Sequence, residues 1–256
     1  MATRRRLPHG ARAAPRGYDP ARYPRPSLTV DLVVTSVSDD GRLLCLLGRR
    51  AEAPFRGAWA LPGGFLREDE SIPEAAVRVL SEETGLTGVR CDEVGTFSEP
   101  ARDPRTRVVS VAHLARVPAD VRARAVAGAR TTDVGFFGLD VARDGAVRVA
   151  GRDGATGDPE DVVLAFDHAD IVARAVRVLR ARVETTTLAF GLLPSRFTLS
   201  EAQRVVESIL GRTLDRAAFR TKVLSLGLVR PTAEERRGQH RPARLFVAAE
   251  GWEVAT

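Results

Sequence analysis

Between Gly64 and Leu86 the chain sets its reactive side chains at regular intervals. Gly64 is followed after five residues by Glu70, after seven more by Arg78, and then by Leu80, Glu82, Glu83, Gly85 and Leu86. On a helix, Glu82 lies one turn from Arg78 and Glu83 one turn from Val79, so a group of acids projects from the last turns. Clustered carboxylate oxygens are what a hard cation such as Mg²⁺ requires, and a bound diphosphate supplies its remaining ligands. Arg78 is spaced to pair with Glu70 and so to tie the loop Leu61-Pro62-Gly63-Gly64-Phe65 to the helix. A second group of polar residues lies near the far end: Arg216, Arg220, Thr221 and Lys222, then Arg236, Arg237, His240, Arg241 and Arg244. Arginine pairs with guanine edges or phosphates and threonine touches thymine methyls, which is the chemistry of a DNA contact. His9, His113, His168 and His240 are scattered, with no Cys or His neighbour at metal-ligand spacing.

These residues need elements to hold them. Ser71 opens a helix with capping-box spacing to Glu74, Pro73 falls in its first turn and Gly85 ends it. Upstream, Ser27 to Val37 and Leu43 to Leu47 flank the turn Asp39-Asp40-Gly41 and form a hairpin. Strands are expected at Cys91 to Phe97, Arg107 to Ala115, Val134 to Leu139 and Val162 to Phe166. Asp120 to Thr132 and Gly145 to Asp161 are read as surface excursions. Apolar residues recur at helical spacing from Asp170 to about Thr185, giving a helix that bridges two domains. Thr198 and Glu201 open another helix running to about Leu210. Asp215 caps a second, with Phe219, Val223 and Leu226 on one face and Gly227 at its end. Two strands, Leu228 to Arg230 and Ala243 to Val247, surround a basic loop. Two short helices and a β-hairpin in this order describe a winged helix-turn-helix.

The chain has 256 residues, 44% hydrophobic and 28% charged, so a wholly disordered or fibrous protein is excluded. No apolar stretch approaches the roughly 18 residues of a membrane span. Cys45 and Cys91 are too few for a disulfide framework and suit a reducing cytoplasm. Of 39 basic residues 38 are arginine, a compositional skew, so the net charge of +6 says less than its placement. Residues 1 to 25 carry a net +6, residues 195 to 256 a net +4, and the middle a net −4. The expected organisation is a flexible basic arm (1–26), a ligand-sensing domain (27–168), a linking helix and connector (169–194) and a DNA-binding domain (195–250).

The spacing from Gly64 to Leu86 resembles the Nudix box, whose residues here are Gly64, Glu70, Arg78, Val79, Glu82 and Glu83. One position departs: the family has a glutamate after the arginine, a metal ligand or general base, and this chain has Val79. The resemblance thus implies a degenerate box with no catalytic residues expected, Mg²⁺ bound weakly or not at all, and Glu82 and Glu83 as its ligands if it binds. Arg49-Arg50, Trp59-Ala60-Leu61-Pro62 and Arg102-Asp103-Pro104-Arg105 are similar to the branch of the family that recognises ADP-ribose. Its implied ligand contacts are Arg49, Arg50, Arg102, Asp103, Arg105, Glu82 and Glu83, since forked guanidinium donors suit diphosphate oxygens.

From Tyr18 to Phe246 the resemblance narrows. Ala165-Phe166-Asp167-His168, Leu192-Leu193-Pro194, Phe197-Thr198-Leu199, Leu210-Gly211-Arg212, Phe219-Arg220 and His240-Arg241-Pro242-Ala243 are similar in order and spacing to the NrtR-type Nudix-related transcriptional regulators of NAD metabolism. That likeness implies an α+β fold, a Nudix-type α/β/α sandwich with a mixed sheet followed by a C-terminal winged helix-turn-helix. It also implies a homodimeric cytoplasmic repressor that binds operator DNA, with ADP-ribose or a related nucleotide as effector. The alternative is an active ADP-ribose pyrophosphatase with an accessory domain, in which Glu82, Glu83 and either Glu99 or Asp103 hold the metal.

Overall fold

A computed structural model describes residues 19, 22–152, 162–236 and 242–249. Most of the basic arm therefore lies outside the described residues, as do Arg237, His240 and Arg241. Among the described residues no helix is long and apolar enough to cross a membrane.

The sheet is organised around β1 (Ser27–Val37), which lies between β2 (Leu43–Arg50) and β6 (Val108–Arg116). The expected hairpin forms, with Thr35 opposite Cys45. The β1 and β6 strands run parallel from Ser27 opposite Val108 to Thr35 opposite Arg116. The remaining ladders are antiparallel, so the sheet is mixed. Beyond β6 lies β5 (Cys91–Phe97), and beyond β2 lie β7 (Thr131–Val141) and β8 (Val147–Arg152). Two short strands complete it: β3 (Trp59–Ala60) pairs with β2, and β4 (Gly63–Phe65) pairs with β1.

Alternation along β1 divides the core between two faces. Val30, Leu32 and Val34 pack with Ala75, Ala76, Val79 and Leu80 of α1 (Ile72–Thr84). Val33 joins Cys45 and Leu47 against Ile171, Val172, Val176 and Leu179 of α3 (His168–Arg182). A sheet covered on both faces needs apolar residues at successive positions, and Leu32, Val33 and Val34 are all fully buried. The α1 helix starts where Glu74 accepts both the Ser71 backbone N–H (2.8 Å) and hydroxyl (2.7 Å), and ends at Gly85 with φ +68°. A single turn of helix, α2 (Ala119–Arg122), follows β6.

After α3 a 3-10 turn, Leu188–Leu192, leads to α4 (Leu199–Leu210), α5 (Arg216–Ser225) and the hairpin of β9 (Val229–Arg236) and β10 (Ala243–Ala248). Thr198 accepts from the Glu201 N–H (3.2 Å) while Glu201 accepts from the Thr198 N–H (2.8 Å), so both donors at the helix start are satisfied. Asp215 caps α5 through the Ala218 N–H at 2.8 Å. Phe197 exchanges two backbone hydrogen bonds with Phe246, adding a third edge to the hairpin. This is a winged helix, and its core is continuous with the α3 side of the sheet.

Two expectations are corrected. Val162 to Phe166 is not a strand: only Leu164 bridges to Trp59, and Phe166 turns to φ +55°, which an extended run cannot hold. The stretch from Gly145 contributes β8, whose alternation is short and interrupted by arginines.

Candidate functional site

A cleft of about 310 Å³ opens where the loop between β3 and β4, the end of α1 and the start of α3 converge. Its floor is a buried polar network. Asp31 of β1 accepts from the Ser110 hydroxyl at 2.5 Å and from Arg102 Nη2 at 3.3 Å. Arg102 in turn forks onto Asp167, just before α3, with Nε at 2.8 Å and Nη2 at 2.7 Å. His168 Nδ1 accepts the Leu61 N–H at 2.9 Å, so its proton resides on Nε2, 3.8 Å from Asp31. Burial holds its pKa below the usual imidazole value against the pull of Asp31 and Asp167, and the ring is neutral at pH 7. The loop must come close: a Cβ at Gly63 would lie 2.2 Å from Asp31 Oδ1, so the position excludes any side chain.

One wall is the Gly64 to Leu86 segment. Arg78 binds Glu70 through Nε (2.8 Å) and Nη2 (2.5 Å), donates to the Phe65 carbonyl and reaches Glu82 through Nη1 at 2.8 Å. The Arg78 hydrogen bonds hold the Glu70 carboxyl down at about 2. Glu82 is shared with Arg67 and lies outside the cleft. Glu83 is buried and turned into the cleft, where both Nε (2.9 Å) and Nη2 (2.7 Å) of Arg130 reach its Oε1. Val79 is fully buried under Gly64. The two candidate metal ligands thus diverge, each already neutralised by arginine. Among the described residues no group of three or more His, Cys, Asp or Glu converges as a metal site. As placed, these side chains do not fit a divalent cation, which needs carboxylates facing one point.

The mouth is aromatic and cationic. Arg50 lies 4.9 Å above the Phe166 ring, Arg105 is 5.6 Å from Phe65 and 5.9 Å from Phe166, and Phe55 meets Phe166 edge-on at 4.7 Å. Phe55 and Phe166 are the non-glycine residues at positive φ among those described, and both stand here, where binding sites store strain. Burial, then repulsion from Arg105 and Arg130, lowers the Arg50 pKa. Crowded guanidiniums beside exposed rings are suited to an anion joined to a flat heterocycle.

Of the expected ligand contacts, Arg50, Arg102, Asp103, Arg105 and Glu83 line the cleft. Arg49 does not. Gly48 and Arg50 share one face of β2, so Arg49 points the other way and donates to the Gly57 carbonyl. Arg102 is committed to two aspartates and Asp103 to Arg105, so both shape the cleft more than they offer donors. Sequence reasoning missed Asp31, Arg130, Phe166 and His168 as cleft residues. Asp31 carried one signal, a single carboxylate within the otherwise apolar run from Val30 to Val34, whereas His168, between Asp167 and Asp170, carried none.

On the winged helix, α5 exposes Arg216, Arg220 and Thr221, with Phe219 and Val223 packed inward. Lys222 bends back to Glu184 beyond α3 at 3.3 Å, and Arg212 joins the same carboxylate. Arg236 pairs with Glu201 at the start of α4 and donates to the Arg196 carbonyl. The Lys222 and Arg236 side chains both remain exposed, at 44% and 46%, and each carries a surface ion pair in this arrangement.

Fold and cleft together define a Nudix-fold protein carrying a winged helix. The NUDIX domain model matches residues 26–152, and the model of the NrtR DNA-binding winged helix domain matches residues 189–247. The chain is 32% identical over 231 residues to the ADPR responsive transcriptional repressor NtrR of Acinetobacter baylyi, covering 90% of this chain and 84% of that protein. Among solved structures, a MutT/nudix family protein from Enterococcus faecalis superposes with a TM-score of 0.74 at 28% identity, covering 89% of this chain and 88% of that one. NrtR of Shewanella oneidensis in complex with a 27mer DNA gives 0.71 at 29% identity, covering 87% and 93%. The chain belongs to the NrtR family of Nudix-related regulators.

Proposed function

We propose that this protein is a DNA-binding repressor of genes for NAD synthesis or salvage, and that its Nudix domain receives ADP-ribose as effector. The observation that carries the reading is the coexistence of an anion-seeking cleft, in which Glu83 is occupied by Arg130, with an attached winged helix that displays Arg220 and Thr221. In this reading residues 27–168 sense, 169–194 connect and 195–250 bind DNA. Arg50, Arg105 and Arg130 meet the diphosphate, Phe55 and Phe166 offer faces to the base, and Arg216, Arg220 and Thr221 face the major groove. Two copies read two half-sites, as in other helix-turn-helix dimers. The similarity over most of the chain to an ADP-ribose-responsive repressor supports the effector and the sense of control.

Hydrolysis is not part of the proposal, because Val79 withholds a carboxylate and Glu83 is paired. Gel shifts with DNA from upstream of NAD-related genes, alongside an assay of AMP release from ADP-ribose with Mg²⁺, separate the two activities. A shift without AMP release is expected. AMP release that disappears in Glu83→Gln, with no shift at low salt, would make the protein an enzyme.

A further inference from the structure

The guanidinium of Arg130 sits against the wall that holds the box carboxylates. It arrives from the loop between α2 and β7, and that loop is pressed on the end of α1. A Cβ at Gly128 would lie 2.3 Å from the Glu82 carbonyl oxygen and 2.7 Å from Glu83 Cα, so only glycine permits the approach. The Gly128 N–H donates to the Glu83 carbonyl at 3.2 Å. Two residues on, Arg130 fastens to both sides of the cleft, with Nε and Nη2 on Glu83 Oε1 and Nη2 on the Gly63 carbonyl at 2.8 Å. Its Nη2 also lies 3.1 Å from where a Cβ on Gly64 would stand, next to Val79 Cγ2. Arg130 Nη1 has no bond among the described residues, and the side chain is about half exposed, at 47%.

We propose that Arg130 is the resident cation of this cleft, holding Glu83 and offering its remaining donors to a diphosphate, so that the ligand is received without a divalent metal. Three features make this specific. The carboxylate of the Gly64–Leu86 segment that faces the cleft, Glu83, is consumed by Arg130, the position one turn before it is Val79, and the other acid of the pair, Glu82, faces Arg67 and Arg78. A guanidinium supplies positive charge and directed donors to phosphate oxygens, but it cannot lower the pKa of a bound water as a metal does. The exchange therefore keeps affinity and abandons hydrolysis. It also restricts a ligand to anions whose oxygens meet planar donors, and Arg50 and Arg105 present the same kind of group.

The inference rests on the nucleotide reading for its ligand but not for its test, which has two arms. In the first, Mn²⁺ alone is titrated by electron paramagnetic resonance into wild type, Val79→Glu and the double variant Val79→Glu/Arg130→Ala. The double variant should bind Mn²⁺ about tenfold or more tighter than Val79→Glu, because removing Arg130 frees Glu83. Equal affinity in the two, or micromolar Mn²⁺ binding by wild type, overturns the assignment. In the second arm, ADP-ribose is titrated calorimetrically in EDTA and in Mg²⁺, which stays informative if Glu at the buried position 79 prevents folding. Wild type should bind equally in both buffers. Arg130→Ala should lose about tenfold or more in EDTA, the scale of one charge-assisted hydrogen bond, and Arg130→Lys should keep part of it. Wild-type binding that collapses in EDTA, or Arg130→Ala binding like wild type, overturns it. If no protein binds ADP-ribose in either buffer, the effector reading fails and the Mn²⁺ comparison alone decides the role of Arg130.

Discussion

Arg180 Nε donates to the Ile209 carbonyl at 2.8 Å, and its Nη1 donates to the Val141 carbonyl at 2.6 Å. One side chain near the end of α3 thus clasps the last turn of α4 in the winged helix and the end of β7 in the sheet. At its other end, α3 begins in the cleft, where Asp167 holds Arg102 and His168 holds the Leu61 N–H. A single helix of 15 residues spans from the ligand cleft to the DNA-binding unit. A helix is stiff over that length, so α3 is a continuous element joining Asp167 to the contact at Ile209, and the Arg180 clasp is where coupling between the two ends can be tested.

Replacing Arg180 by Ala should therefore loosen the coupling while leaving both sites formed. ADP-ribose affinity and DNA affinity measured separately stay within about twofold of wild type, whereas the effect of one ligand on the other shrinks from the usual 5- to 150-fold range towards unity. Undiminished coupling in Arg180→Ala would show that the clasp is only structural.

Arg102 joins Asp31 and Asp167 in a nearly dry setting, its side chain 4% exposed. Arg102→Ala leaves two aspartates facing each other without a cation, and such a loss costs about 3 to 5 kcal/mol. Urea unfolding should show that drop. A loss below about 1 kcal/mol would mean that water reaches the pair.

Acid should weaken the tie between loop and helix over a defined range. Glu70 has its pKa brought from an ordinary value near 4.5 to about 2 by its hydrogen bonds to Arg78. A carboxylate depressed in the folded state stabilises it fully above the ordinary value, and that stabilisation is lost as pH falls from about 4.5 to 2. Glu70→Gln should remove this part of the acid slope of stability. An unchanged slope between pH 4.5 and 2 would place Glu70 free in solution.

Arg220 is exposed on α5. Arg220→Ala should weaken operator binding by about 1 to 3 kcal/mol and relax sequence preference. Arg236→Ala should affect stability more than sequence choice, since Arg236 is engaged with Glu201. Equal losses on operator and random DNA for Arg220→Ala would reassign it to a phosphate.

Much of this architecture was legible from local signals. Ser71, Pro73 and Gly85 bracket α1, Thr198 and Glu201 open α4, and Asp215 opens α5, because caps and breakers act within a few residues. Strand alternation alone would have separated Arg50 from Arg49. The remaining cleft residues depend on contacts distant in sequence. Arg130 reaches Glu83 across 47 positions and Arg102 reaches Asp167 across 65, in stretches whose own pattern reads as loop. Lys222 and Arg236 look like DNA contacts by type and spacing, and only the fold shows the carboxylates of Glu184 and Glu201 beside them.

The central claim, that a nucleotide in the Nudix cleft governs DNA binding by the winged helix, meets its most direct test in one titration. The affinity of the full chain for labelled DNA from upstream of NAD-related genes is followed by fluorescence anisotropy at fixed salt as ADP-ribose is raised. The account predicts specific binding that weakens by about 5- to 150-fold and levels off as the cleft fills, with reciprocal weakening of ADP-ribose by DNA. DNA affinity unchanged at saturating ADP-ribose, or no binding to any such DNA at low salt, would contradict it.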